Sequence, residues 1–146
     1  MKAKQLNPSD HAGRTFALIF DTGDEVMGGL QDFARAKSLC GSHFSAIGAF
    51  RDVVLAWFNI ETHQYQKIPI AEQVEVLSLI GDIAADEKGG IKVHAHVVVG
   101  NSDGLAHGGH LVEAHVRPTL EVILTEMPRH LQRVHDPESG LALIRV

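Results

Sequence analysis

Three histidines in the second half of the chain are the residues best suited to chemistry. His94 and His96 are separated by a single alanine, and His110 follows a Gly-Gly pair fourteen residues after His96. Valines flank the first two histidines, which is typical of a β-strand, and side chains alternate between the two faces of a strand. His94 and His96 are therefore predicted to share one face, while Ala95 and the valines take the apolar face against a core.

A segment rich in turn residues, Asn-Ser-Asp-Gly at 101–104, separates the two histidine segments. If the loop spans residues 101–105, antiparallel pairing sets His96 directly opposite His110, with Cβ atoms about 5 Å apart. Three converging imidazoles are the ligand set of an open catalytic zinc site, so we expect zinc or another divalent transition metal there. A one-residue slip or a bulge would turn His110 away, and His107 or His115 could then replace it.

Two other interpretations of these histidines stay open. They could serve an interface or a substrate without any metal, or they could lie on a solvated strand face, since ten histidines in 146 residues make chance spacings common. A metal site also requires groups that orient the imidazole rings, usually a carboxylate or a carbonyl. Asp103 and Glu113 are near in sequence, but the sequence fixes neither of them there, and Glu113 is predicted on the wrong face.

The composition favours a globular protein with an ordinary core. Hydrophobic residues make up 45% and charged residues 21% of the chain, and the single cysteine, Cys40, has no partner for an internal disulfide. We therefore expect a reduced, cytoplasmic setting, with no signal peptide and no membrane span. The net charge is −5 and the lysines and arginines are scattered, so the basic stripe of a nucleic-acid-binding protein is missing from the sequence.

The surrounding elements predict one α+β (α/β) domain over residues 14–146, preceded by a flexible arm over 1–13. An amphipathic helix is expected over 25–38, capped by Asp24, with the Gly28-Gly29 pair indicating close packing. Strands are predicted over residues 14–20, 44–50, 52–60, 65–70, 74–84, the histidine segment, 105–116, 120–126 and 141–146. They build a mainly antiparallel mixed sheet with one principal helix packed on it.

Several segments, taken in order, resemble a known family, the plants-and-prokaryotes-conserved (PPC) domain. They are residues 24–36, 46–53, 74–81, 94–96, 108–111 and 118–122. The resemblance covers residues 14–146. It implies an α/β domain that assembles into a homotrimer, and it implies that His94, His96 and His110 hold a metal such as zinc.

In plants this domain is joined to AT-hook segments in nuclear DNA-binding proteins, and prokaryotic members often carry a DNA-binding label by relation to them. The present chain has no Arg-Gly-Arg-Pro hook. Two function classes therefore stay open. The first is a trimeric metal-binding module, DNA-associated or regulatory by resemblance, and the second is a small zinc-dependent, hydrolase-like enzyme acting on an unknown substrate.

Overall fold

The computed structural model describes residues 1–7 and 13–145, and within these it contains nine strands and one helix, α1, over Val26–Ala36. The strands are β1 (Lys2–Gln5), β2 (Thr15–Asp21), β3 (Gly41–Asn59), β4 (Gln64–Ile70), β5 (Val74–Ala85), β6 (Ile91–Gly100), β7 (Ala106–Glu126), β8 (Gln132–His135) and β9 (Ala142–Arg145). The predicted class is confirmed in its broad form, α+β, although strands far outweigh the helix.

The sheet is antiparallel except where β8 runs parallel to β5. Strand β7 pairs with β2, β3 and β6, and β5 joins β3 to β6, so β3, β5, β6 and β7 form a closed circuit. Helix α1 turns the apolar face that includes Leu30 and Phe33 into the core, where the Phe33 ring packs edge-on against Phe16 of β2. The opposite face of β5 and β6 is left open, and this is the face that carries the histidines.

The helix begins one residue later than the sequence predicts. Asp24 was expected to cap it, but Glu25 is the cap, and its carboxylate accepts the amides of Met27 and Gly28. Asp24 instead accepts the amide of Asp21 and pairs with the N-terminal ammonium, because it belongs to the turn that leaves β2.

The predicted close packing at the paired glycines is found at Gly29. A Cβ atom there would lie 2.5 Å from Cε1 of Phe20. The missing side chain therefore lets the helix approach β2, and this offsets the weak helix propensity of glycine.

Two predicted strand breaks are wrong, because β3 and β7 each run without interruption where the sequence suggested two strands. Strand β7 continues through Pro118, where the Arg117–Pro118 peptide is cis. The pairing steps from Phe50–Val116 to Gly48–Leu120, which leaves three residues of β7 opposite one of β3. Pro118 lies in this bulge, where its missing N–H breaks no ladder.

The chain ends add strands that the sequence patterns did not predict. Residues 2–5, within the expected flexible arm, form β1 on the edge of β2, while residues 8–12 lie outside the described part of the chain. An edge strand can join a sheet through main-chain hydrogen bonds alone. Its sequence therefore needs no alternating apolar pattern from which the strand could be predicted. Strand β8 was also missed, and it pairs with β9, the described portion of the strand predicted over 141–146.

No helix within the described residues is both long enough and apolar enough to cross a bilayer.

Candidate metal centre

Strand β6 presents His94 and His96 on one face, as its alternation predicts. Ala95 and Val97, on the other face, are 0% and 2% exposed and belong to the core. His94 is half-buried and His96 is exposed. The core-facing residues therefore hold β6 in the register that keeps both imidazoles outside the circuit of strands.

The hairpin between β6 and β7 sets the third histidine opposite the second. Strand β6 ends at Gly100 and β7 begins at Ala106, so the loop has the predicted extent of 101–105. The His96–His110 pairing is confirmed, and no register shift interrupts the β6–β7 ladder. The bulge that could have displaced His110 occurs further along β7, between Leu111 and Glu113.

The three imidazoles converge on one point. Ring centroids are 5.0 Å apart for His94 and His96, 5.0 Å for His94 and His110, and 5.5 Å for His96 and His110. One nitrogen from each ring lies within 4.8 Å of the others. Nitrogens bound to one tetrahedral zinc ion at about 2.0–2.1 Å would lie about 3.3 Å apart, so small ring rotations bring this cluster to ligation distance.

The surroundings of two of the histidines, His96 and His110, favour the neutral ring. Burial lowers the pKa of His110 from 6.5 to about 4, helped by the neighbouring charges of His94, His96 and Arg133. Burial, and then His94, lower the pKa of His96 as well. Neutral imidazole is the form that binds a metal ion, so neither ring must first lose a proton at neutral pH.

His110 also carries an unsatisfied atom. Its Nδ1 is buried and has no hydrogen-bond partner among the described residues. A buried polar atom without a partner is costly and rare in folded proteins. A metal ion shared by the three rings would supply the missing interactions of the cluster, so the donor set fits such an ion.

An ion pair formed by Asp82 and Arg133 lies beside His94. Arg133 Nη2 donates to both carboxylate oxygens of Asp82, at 2.7 and 2.9 Å, and lies 3.1 Å from His94 Nδ1. Asp82 Oδ2 lies 3.8 Å from the same nitrogen. Burial alone would raise the pKa of Asp82, but the neighbouring His94 and the hydrogen-bonded Arg133 outweigh it and keep that pKa below its ordinary value.

An aromatic ring closes another side of the cluster. The ring of Tyr65, from β4, lies 5.0 Å from that of His110 and 4.9 Å from that of Phe58, measured between centroids. Phe58 and Tyr65 are directly paired across β3 and β4. The hairpin formed by these two strands therefore positions the Tyr65 phenol beside the histidines.

The other histidines and acids considered from the sequence lie elsewhere. His107 is exposed at the start of β7, opposite Val99. His115 Nδ1 lies 2.7 Å from Asp52, and its Nε2 lies 3.8 Å from Glu113.

Asp103 is also engaged away from the cluster, where it accepts the amide of Leu105 within the loop. The carboxylate beside His94 is instead that of Asp82, which is not one of the two acids near the histidines in sequence.

A signal for Asp82 was nevertheless present in the sequence. The tight turn at residues 86–90 joins β5 to β6, and counting outward from it pairs Asp82 with His94, as the ladder shows. Arg133 had no comparable signal. It reaches the site on β8, which joins the rest of the sheet through the single pair Ala85–Gln132.

Known proteins share this fold and much of its length. A PPC protein from Pyrococcus horikoshii is 31% identical, with a TM-score of 0.85 over 92% of this chain and 93% of that one. A metal-containing protein from Archaeoglobus fulgidus is 31% identical, with a TM-score of 0.83 over 93% and 96% of the two chains. A candidate DNA-binding protein from Ralstonia eutropha JMP134 is 26% identical, with a TM-score of 0.83 over 90% of each chain.

Among curated proteins, the bifunctional protein GlmU of Synechococcus sp. (strain JA-3-3Ab) is 28% identical over 130 residues, which is 87% of this chain. The match spans only 20% of that much longer protein. The family model of the Plants and Prokaryotes Conserved (PCC) domain matches residues 8–128. This is the domain called PPC above, which the sequence resembles. The chain therefore belongs to the Plants and Prokaryotes Conserved domain family.

Proposed function

We propose that this protein is a metal-binding module that holds one divalent transition-metal ion, zinc foremost, on His94, His96 and His110. The observation that carries the proposal is the approach of three imidazole nitrogens to within 4.8 Å of one another. Imidazole suits zinc, copper, iron and nickel, and three such ligands leave a coordination position open. The Archaeoglobus relative, named as metal-containing, supports the same assignment.

Asp82 is the candidate for the group that orients His94 within the metal centre. A metal-bound histidine usually gives its second ring N–H to a carboxylate or a carbonyl. Asp82 Oδ2 lies on the neighbouring strand at 3.8 Å from Nδ1, and a small rotation of the ring on metal binding would turn the Nδ1–H from Arg133 towards this carboxylate. Arg133 keeps the carboxylate charged and in place.

Cobalt titration tests the metal centre directly. Adding Co²⁺ to the metal-free protein should produce saturable visible absorption bands at one ion per chain. His94→Ala should lose these bands, whereas His107→Ala should keep them because His107 lies outside the cluster. Equal spectra for the two variants would contradict the proposal.

The family resemblance further suggests a homotrimer, and one apolar patch supports assembly. The isoleucine patch consists of Ile47, Ile80 and Ile123, which are 61%, 59% and 48% exposed on adjoining strands. Ser45 pairs with both Ile80 and Ile123, which brings the patch together. Light scattering should give three chains per particle, and Ile123→Asp should reduce this number while Leu105→Asp, in the exposed loop, should not. A monomeric wild-type protein would contradict the assembly.

A hydrolase-like enzyme is the second candidate function. Zinc lowers the pKa of a bound water to about 7, and the position left open by three histidines can hold that water. The observation that favours this function is the Tyr65 phenol, held beside the cluster. Hydrolysis of activated esters by the zinc-loaded protein, lost in His96→Ala and weakened in Tyr65→Phe, would support an enzyme. Equal rates with and without zinc would contradict it.

The name of the Ralstonia relative suggests a DNA-associated role. Measuring the affinity for duplex DNA at increasing salt concentrations tests it. Contacts with phosphates release counterions, so genuine DNA binding weakens steeply as salt rises. The net charge of −5 opposes such contacts. Duplex binding that falls steeply between low and physiological salt would support the role, and binding that is absent or indifferent to salt would exclude it.

A further inference from the structure

A small cavity adjoins the histidine cluster, next to the β8–β9 hairpin. Its volume is about 270 Å³, and His94 lines it together with Tyr65, Lys92 and Arg133. Because His94 belongs both to this cavity and to the cluster, a molecule in the cavity contacts one of the three candidate ligands of the metal ion. Ligand pockets in proteins commonly measure about 300–1,000 Å³, so this one suits a small molecule.

One of the two cations that line the cavity is able to receive an anion. Lys92 and Arg133 both line it, against the single carboxylate of Asp86. That carboxylate is already engaged, since its Oδ1 accepts the amides of Lys88 and Gly90 in the turn. Arg133 forms a close ion pair with Asp82. Lys92 is therefore the cation that can still donate hydrogen bonds to a ligand.

Lys92 has open donors among the described residues. Its Nζ lies 3.7 Å from Asp86 Oδ2, which is beyond hydrogen-bond distance, and its side chain is 59% exposed. An ammonium group carries three N–H donors. A carboxylate entering the cavity can therefore accept from Lys92 without breaking an existing hydrogen bond.

The remaining walls are apolar. Leu141 and Leu143, near the C-terminal strand β9, face the same space. A ligand that fills the cavity must therefore combine a charged head with a short apolar chain.

We propose that the cavity binds a small aliphatic carboxylate, whose head lies between Lys92 and the metal ion at His94 and whose chain packs on Leu141 and Leu143. This inference rests on the proposed metal centre. Tyr65 is the second polar group for the head, since its ring is fixed between Phe58 and His110.

Butyrate added to the cobalt-loaded protein tests the proposal. We expect a saturable change in the cobalt absorption bands with butyrate, none with the neutral isostere butyramide, and binding of acetate about tenfold weaker. The chain-length effect follows from burying two methylene groups, each contributing about three- to fourfold.

Substitutions then locate the site. Lys92→Gln should weaken butyrate binding about tenfold, the effect of a lost charge-assisted hydrogen bond, and leave the cobalt spectrum without butyrate unchanged. Lys88→Gln is the matched control, because Lys88 lies in the turn that leads into β6 but does not line the cavity. Tyr65→Phe should weaken binding by a smaller factor.

The outcomes separate the two proposals. Failure of cobalt to bind contradicts the metal centre and this inference with it. Bound cobalt whose spectrum is indifferent to butyrate contradicts this inference alone. Equal butyrate affinity in the Lys92 and Lys88 variants, or equal affinity for butyrate and butyramide, also overturns it.

Discussion

His96 and His110 are directly paired across the β6–β7 hairpin, with their rings 5.5 Å apart between centroids. The five-residue loop sets this register, since it ends β6 at Gly100 and starts β7 at Ala106. Gly104 closes the loop with a φ of +83°, a conformation that a residue with a side chain rarely adopts. The length of the turn thus determines which side chains meet at the cluster.

Removal of the Asp82 charge should weaken metal binding. In Asp82→Asn the amide cannot accept from His94 as strongly as a carboxylate, and loss of such an orienting group typically costs about 10- to 100-fold in metal affinity. Competition with a chromophoric zinc chelator measures the effect.

Asp103→Asn is the matched control for this substitution. Asp103 was a candidate for the orienting group from the sequence, yet it accepts the Leu105 amide within the loop. Its substitution should leave zinc affinity unchanged. Equal losses in the two variants would remove Asp82 from the metal centre.

The metal-free protein should lose stability as the pH falls from 6.5 towards 4. The pKa of His110 is about 4 when folded, against the ordinary 6.5, so the unfolded chain binds a proton in this window while the folded chain does not. The stabilisation is present in full above pH 6.5 and declines below it. Urea denaturation across this range measures the free energy of unfolding.

His110→Gln should make this pH dependence shallower, because one of the two histidines with a lowered pKa is removed. His107→Gln is the control, since His107 is exposed and should leave the slope as in the wild type. A His110→Gln protein with the wild-type slope would contradict the buried, neutral state of His110.

Gly81 is predicted to tolerate no side chain. A Cβ atom there would overlap Phe44 Cζ and the carbonyl oxygen of His94. Phe44 is buried and cannot yield freely, so Gly81→Ala should destabilise the protein by about 1–3 kcal/mol in urea denaturation. It should also weaken zinc binding, because the strand that carries His94 is displaced.

Gly100→Ala provides the comparison. Its added Cβ would meet only the Leu77 side chain, at 3.2 Å or more, and a side-chain end can shift. We expect a loss below about 1 kcal/mol and no change in zinc affinity. Equal destabilisation by the two substitutions would show that the contact with Phe44 and β6 is not the cause.

The histidine cluster could be predicted because its determinants are local. Strand alternation places His94 and His96 on one face, and a short loop with clear turn residues fixes the partner of His96. The pairing of Asp82 with His94 follows from the same counting around the turn at 86–90. The sequence was therefore sufficient to predict it. Arg133 did not follow, because β8 attaches through one backbone pair and non-local contacts have no sequence period.

The predicted breaks in the long strands failed for a related reason. Pro118 is a strand breaker on local grounds, but the sheet accommodates it in a bulge opposite Ala49. Glu25 caps the helix in place of Asp24, because the Asp24 carboxylate accepts the Asp21 amide in the turn after β2. In both cases a tertiary arrangement decided between local alternatives of similar propensity.

The most direct test of the account is the metal content per chain of untagged protein, measured by elemental analysis beside His96→Ala and the control His107→Ala. We predict close to one transition-metal ion per chain in the wild type and in His107→Ala, and almost none in His96→Ala. Wild-type protein that holds no metal even after incubation with zinc, or a His96→Ala protein that holds as much as the wild type, would contradict the three-histidine centre.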